Sequence, residues 1–510
     1  MTRREKIALG AVVLLSALCL LAMAKPPPRG CKSPPALTLS APPDVTTGEP
    51  FTTAYSAQPG AGQPGCAVSS WLLDYGDGGS REGAGRVTAT DQHAYAADGI
   101  YPLSLSAQTL TGLVSVRDQV VHAGILSPPP GGGPCTTCYY VTKTGSDANS
   151  CVASKNLGTP KLTIAAGVAC LPTGATLYIR TGTYTEFIGE TNFTASGTSW
   201  VTPITIAAYP GDVVTLRPSG GGGVMGFRNT VAVFLIIDGL ILDGINAGGG
   251  SGAAVFGCGD TSHHLRVQNT EIKNGDGNGV FCGGNNHEFL NDAVHGNGLF
   301  TGYTNSNGMY MWGDATTITG GSFYDNECYG VRYYDSAALP ASADNNVVQG
   351  ARIFGNGNGR GLSGTSVCGS GGGGIVLADT NNVAKNNLVY NNYWGVQISL
   401  EKSAAVQWYH NTVTANDFGA DMSNSGSSVL FKNNIVYNNA GLNLYQMGSV
   451  VQTTNLTTNP NFVNPGAFDF HVNLGSAAID TGTFLPSVVV DFSGVTRPQG
   501  AQVDIGAYER

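Results

Sequence analysis

Charge is scarce in this chain. Lys, Arg, Asp and Glu make up 12% of its 510 residues, against a usual share of about 25%. The formal net charge is -9, which argues against a general nucleic-acid binder. Past the N-terminal stretch, no apolar run is long enough to span a membrane. No G-x-y period occurs, which excludes a collagen triple helix. No three His, Asp or Glu residues have the spacing of a transition-metal site. Asparagine is absent before Asn149, whereas 38 asparagines occur from that position onward. Glycine is plentiful at 73 residues, roughly double the share in average proteins. Hydrophobic residues reach 42%, too many for a solvated disordered chain. The balance predicts a neutral, turn-rich, all-β protein of more than one domain.

The N-terminus reads as an export signal. Arg3, Arg4 and Lys6 precede an apolar stretch that starts at Ile7, and Ala22-Met23-Ala24 has the A-x-A form of a cleavage site. Cleavage after Ala24 would leave a secreted or cell-surface protein with no stable membrane insertion; an uncleaved anchor is the alternative. Loss of residues 1–24 removes Cys19 and leaves ten of the 11 cysteines. An even number in an exported chain points to disulfides. The expected pairs are Cys31–Cys66, Cys151–Cys170, Cys258–Cys282 and Cys328–Cys368. Cys135 and Cys138 form a C-x-x-C in a Pro/Gly stretch. That motif lacks the second pair or nearby His that a metal site needs.

The onset of asparagine marks a boundary. Just upstream, Ser127-Pro128-Pro129-Pro130-Gly131-Gly132-Gly133-Pro134 reads as a linker. The expected layout is a signal peptide at 1–24, a sandwich at 31–124, a linker at 125–138, a repeat domain at 139–458 and a closing segment at 459–510. The first region carries Trp71-Leu72-Leu73-Asp74-Tyr75-Gly76-Asp77-Gly78, then His93-Ala94-Tyr95 and Gly99-Ile100-Tyr101. This resembles a polycystic-kidney-disease (PKD) domain, an immunoglobulin-like β-sandwich, which implies a spacer or weak binder. Trp71 is the expected core anchor. Asp74 and Asp77 are read as turn residues, with calcium binding as the alternative.

The second region is periodic. An apolar position recurs at Ile241, Ile272, Val294, Phe323, Ile353, Val389, Val413 and Val436, at spacings of 22 to 36 residues. Asparagines flank many of these anchors, as in Asn269 and Asn274, Asn386 and Asn391, and Asn433 and Asn438. They are read as structural: their amides serve backbone groups in bends, and they tolerate left-handed backbone. A G-V-x-x strand recurs at Gly279, Gly330, Gly374 and Gly395. The opening Tyr139-Tyr140-Val141, a helix over about Lys161–Ala169, and Leu171-Pro172-Thr173-Gly174-Ala175-Thr176-Leu177-Tyr178-Ile179 resemble the capped entrance of right-handed parallel β-helix proteins of the pectate-lyase-like superfamily. The resemblance implies a stack of three-stranded coils with a capping helix. The C-terminal Arg497-Pro498 and Asp504-Ile505-Gly506-Ala507-Tyr508-Glu509 resemble the closing segment of bacterial secreted β-helix proteins.

Strand alternation places Val280, Met309, Val331, Ile375 and Val396 inward. The outward column is then Phe281, Tyr310, Arg332, Val376 and Gln397, with Trp312 and Tyr334 two residues on. By resemblance this strand builds the sheet that carries a substrate groove. Long segments at 296–307, 335–346 and 355–373 would wall it. Tyr310, Trp312, Tyr334 and Tyr303 are candidates to stack on sugar rings, and Arg332, Arg360 and Gln397 to bind polar groups. The alternative is a stripe packed under loops, with an ordinary Arg332–Asp335 ion pair. His263, His264 and His287 sit at bends, and Lys273, His295 and Tyr324 form a surface ladder on another sheet.

The expected function is that of a secreted carbohydrate-active protein, acting as a monomer on a polysaccharide or glycan. The leading reading is a lyase that cleaves a uronic-acid polysaccharide by β-elimination. Arg332 would be base or charge neutraliser, and Tyr310 or Tyr334 the acid. Asp314, Asp335 and Glu288 are the candidate calcium (Ca2+) ligands. The W-I-D-H segment of the main pectate lyase family is missing, as are the paired-Asp and R-I-K motifs of polygalacturonases. A glycoside hydrolase using Asp314 and Asp335, or a non-catalytic glycan binder, are therefore the alternatives.

Overall fold

The computed structural model describes residues 35–510, except 43, 46, 61–65, 76–78, 97–98, 111–113, 124–136, 228–232, 251–252, 300–304, 335–342, 358–367, 369–370, 399–404, 423–428 and 446–449. Near the start, Phe51–Gln58 alternates buried and open side chains, as a strand with one face on a core must. It pairs with Ala36–Ser40 and Val87–His93 in a three-stranded antiparallel sheet. A five-stranded sheet faces it, built mainly on Val68–Asp74, Gly99–Thr109 and Val114–Ala123. Between them lie Trp71, Leu73, Tyr75 and Tyr95, with the Trp71 ring 5.4 Å from Tyr55. This is the expected β-sandwich. Asp77 lies outside the described residues. Asp74 is buried and pairs with Arg352 of the second region, so it fastens the sandwich to the rest of the chain.

From Cys138 onward the chain winds into a three-sided parallel β-helix. Sheet 1 has twelve described strands, from Cys138–Val141 to Val451–Thr453. Sheet 2 has ten, from Gly182–Tyr184 to Ile435–Tyr437, and sheet 3 has ten, from Ile188–Gly189 to Leu444–Tyr445. Every pairing in the three is parallel, because each coil lays its strands over those of the coil before. The first coil is closed by helix α1, Ile164–Val168, shorter than the stretch expected from sequence. Thr163 caps it by accepting from the Ala166 N–H, and the Glu186 carboxylate accepts from Ile164 and Ala165. Ile164 and Val168 are fully buried in the main core.

The inward anchors hold with one correction. Sheet 2 stacks Leu242, Ile272, Val294, Phe323, Ile353, Val389, Val413 and Val436 in register. Ile241 pairs instead with Glu271 and is half-buried. Two adjacent apolar residues made that register ambiguous, and a shift of one residue turns every side chain to the other face. The outward column Lys273, His295, Tyr324 also forms. Glu271 accepts from both Lys273 and His295 at 2.9 Å. Burial opposes its charge, but these two partners outweigh burial and bring the carboxyl down to about 2.

The asparagines divide their work between two columns. Asn269, Asn274, Asn386, Asn391, Asn433 and Asn438 take left-handed backbone, with φ between 52° and 59°. The amide ladders belong mostly to the next residue along. Asn297, Asn326, Asn356, Asn392, Asn416 and Asn439 each donate to the amide oxygen of the next, ending on Asn443, at 2.9 to 3.0 Å. Asn356 is fully buried and also donates to the carbonyls of Phe323 and Phe354. Asn356→Ala would strand those partners in a dry interior. Each unmet buried group costs roughly 1–3 kcal/mol, so the variant is expected to lose about 3–5 kcal/mol in urea unfolding.

Three expected disulfides are present: Cys151–Cys170, Cys258–Cys282 and Cys328–Cys368. Cys31 and Cys135 lie outside the described residues. Among the described residues, no helix is long and apolar enough to cross a membrane.

Candidate functional site

Sheet 3 places the outward column as the alternation implied. Phe281, Tyr310, Arg332, Val376 and Gln397 stand in register on successive coils. The column continues to Asp421 and Tyr445. Phe418-Gly419-Ala420-Asp421 repeats the same strand pattern with Ala in place of Val, so Asp421 was open to sequence reasoning but was missed. At about 4.8 Å between strands, neighbours in this column touch.

Arg332 is the centre of the column. Its guanidinium carbon lies 4.4 Å from the Tyr334 ring centre, 4.9 Å from Tyr310 and 5.7 Å from Tyr329. A cation over ring faces is favoured by the ring quadrupole. One terminal nitrogen donates to the Asn305 side-chain oxygen. The Nε is buried and has no hydrogen-bond partner among the described residues. No carboxylate among them pairs with Arg332; Asp335, the partner in the ion-pair alternative, lies outside the described residues. Asn305 and Tyr329 were both missed in the sequence. Tyr329 opens the very strand that carries Arg332, whereas Asn305 meets Arg332 from the coil before, where nothing in its local sequence marks it.

The rings form a continuous patch. Phe281 lies 5.4 Å from Tyr310, and Tyr310 lies 6.3 Å from Tyr334. Trp312 departs from its expected role as an open sugar platform. It is buried, packs 4.1 Å from Phe281 and donates from Nε1 to Asp260 at 2.7 Å. Its indole needs a partner for that N–H when buried, so it supports the patch from beneath. Gln397 accepts from the Tyr329 hydroxyl at 3.0 Å and donates toward Asp421 at 3.4 Å. Val376, between Arg332 and Gln397, is covered by the Cys328–Cys368 bridge beside Tyr329. The bridge ties Cys368 to Cys328, just ahead of the strand that carries Arg332. Arg360 and Tyr303 lie outside the described residues.

Of the three candidate calcium ligands, Asp335 lies outside the described residues, and Glu288 and Asp314 lie on different elements. Glu288 stands on sheet 1, not sheet 3, and pairs with Arg266 at 2.7 Å. Asp314 sits at the bend between sheets, where one carboxylate oxygen accepts from the Asp344 N–H at 2.8 Å. Asp344 repeats the contact to Thr380 one coil on, which marks a bend ladder. Among the described residues, no three His, Cys, Asp or Glu side chains gather as metal ligands.

Residues 259–463 match the family described as "Right handed beta helix region". The second region is a right-handed parallel β-helix. Pectate lyase Pel9A superposes with a TM-score of 0.57 at 19% identity, covering 73% of this chain and 96% of that one. A rhamnogalacturonan lyase gives 0.43 at 13% identity, over 71% of this chain and 99% of that one. The catalytic domain of a GH87 alpha-1,3-glucanase gives 0.35 at 13% identity, over 84% of this chain and 99% of that one. The likeness to Pel9A, at so low an identity, establishes the β-helix fold alone. No curated protein matches the sequence.

Proposed function

We propose that the chain is an exported polysaccharide lyase acting on a uronic-acid-containing glycan, with sheet 3 as its groove. The observation that carries this reading is Arg332: a guanidinium held among three tyrosines on an outward face. A guanidinium stays cationic at any working pH and matches a carboxylate's geometry. In β-elimination the acidic step is loss of the C5 proton beside the uronate carboxylate. Arg332 neutralises that carboxylate and so stabilises the charge that develops there. Its fixed charge makes it a neutraliser rather than a base. Tyr310 and Tyr334 bracket it and are assigned the proton transfers. One, as its phenolate, takes the C5 proton, the C4–O bond breaks as the C4–C5 double bond forms, and the departing oxygen takes the proton of the other tyrosine's hydroxyl. Export is supported by the three disulfides.

The test is a panel of polyuronates and uncharged polysaccharides followed by ultraviolet absorbance. Unsaturated uronate ends are expected from at least one polyuronate. Reducing ends without that absorbance would mean hydrolysis, and gel retention without either product would mean a binder. Arg332 rather than Ca2+ is assigned the neutralising charge. Cleavage is therefore expected to persist after exhaustive EDTA treatment; a loss restored by added calcium would reverse the assignment.

A further inference from the structure

Upstream of the aromatic patch, the sheet 3 column changes character. Its outward positions are Gly189, Gly226 and Gly257, and the next in register is Phe281. Three successive coils thus present bare backbone, where the later coils present rings and Arg332. The result is a cavity of about 250 Å³ floored by these glycines, with Phe187, Glu190 and Thr191 on its lining. Phe187 lies against the floor, yet 45% of it remains exposed. A Cβ at Gly189 would come within 2.7 Å of the Phe187 ring and 2.8 Å of the Gly226 carbonyl. At Gly226 it would meet only the edge of the Phe187 ring, at 3.2 Å, a contact relieved by a small shift of that side chain. From Gly189 to Arg332 the column climbs five coils, about 24 Å at the strand spacing. The path between them is unbroken: glycine floor, Phe281, Tyr310, Arg332.

We propose that this trough is a second glycan subsite, which holds uncharged sugar units of the same chain whose uronate meets Arg332. It rests on the reading of sheet 3 as a glycan groove and adds the substrate class: a polymer with both charged and neutral units. A flat floor beside an open aromatic face suits a sugar ring, whose C–H face stacks on the phenyl while its hydroxyls reach the polar rim. The single charged group among the described lining residues is the Glu190 carboxylate, which disfavours a uronate there and accepts hydrogen bonds from hydroxyls.

The experiment is native affinity electrophoresis of the full chain in gels containing galactan, xylan or a β-glucan, with polygalacturonate run in parallel. Wild-type protein is expected to be retarded by at least one uncharged polymer. Phe187→Ala removes the stacking face, and Gly226→Val fills the floor with a side chain that strands accept. Each is expected to weaken that retardation about tenfold, with melting temperatures showing that both fold. If no uncharged polymer retards the wild type, or if both folded variants are retarded as strongly as wild type, the proposal is overturned. The readout stands apart from cleavage. Retention on an uncharged polymer without cleavage of any polyuronate would keep this subsite and discard the lyase reading.

Discussion

Arg332→Ala is expected to lower release of unsaturated product by a factor on the order of 10²–10³. The size follows from what the side chain does in the proposed reaction. Charge accumulates on the uronate carboxylate as the C5 proton leaves. Removing a preorganised cation from a half-buried face forfeits its stabilisation where water is a poor substitute. The loss should fall on kcat more than on KM, because the cation is worth most in the transition state. Arg332→Lys keeps the charge but cannot lie flat across Tyr310 and Tyr334 while bonding Asn305. It should recover only part of the rate. Full activity of folded Arg332→Ala on a confirmed substrate would remove Arg332 from the mechanism. Unchanged gel retention with no product from the wild type would favour the non-catalytic binder.

Arg497→Met is expected to destabilise the β-helix by about 3–5 kcal/mol. Arg497 and Glu509 have fully buried side chains and pair at 2.7 Å. The guanidinium also donates to the carbonyls of Asp504, Gly506 and Ala507. The Glu509 carboxylate in turn accepts from the Gln499 and Asp504 N–H groups. These contacts fold the closing segment onto the coils, where the Ala507 N–H reaches the Thr412 hydroxyl and the Gly506 N–H reaches the Asn433 carbonyl. Removing the cation leaves a carboxylate buried without its counter-charge. The double variant Arg497→Met, Glu509→Gln should regain part of the loss, since the stranded charge goes with it. Guanidinium unfolding followed by fluorescence checks both. A melting curve of Arg497→Met that overlays wild type would mean the segment is held by its apolar contacts alone.

Much of the fold was legible because a β-helix writes its geometry into local sequence. Each coil repeats one apolar anchor, one left-handed bend and one G-V-x-x strand, so residue order alone reveals the outward column from Phe281 to Gln397. The disulfide partners lie within a coil or on neighbouring coils, which kept Cys151–Cys170, Cys258–Cys282 and Cys328–Cys368 within reach. Expectation failed where one residue of offset mattered. Ile241 and Leu242 are both apolar, so periodicity could not choose between them. Paired asparagines such as Asn386-Asn387 hid a division of labour. The first takes φ near 52°, while the second is buried and donates to Asn411.

The site was less legible than the fold. Residue type marked Arg332, Tyr310 and Tyr334, and alternation put them on one face. Alternation says nothing about which outward side chains remain open. Trp312 turned out to be covered, because its indole N–H finds Asp260 52 residues earlier. Glu288 was grouped with Asp314 as a calcium ligand, but Glu288 stands on a sheet 1 strand paired with Arg266, while Asp314 sits on the bend and accepts from the Asp344 N–H.

The sequence alone therefore determined the repeat, the sheet that bears the aromatic and cationic column, and the cysteines that brace it. Those features are local or recur with a period, and a chain of this kind cannot stack without them. Only the tertiary structure decided the environment of each outward residue: the tyrosine cage of Arg332, the burial of Trp312, the pairing of Glu288 with Arg266 and the glycine trough upstream. Each depends on which residues neighbouring coils bring to the same height, and coil length varies with every loop, so the sequence holds no fixed spacing from which to read it.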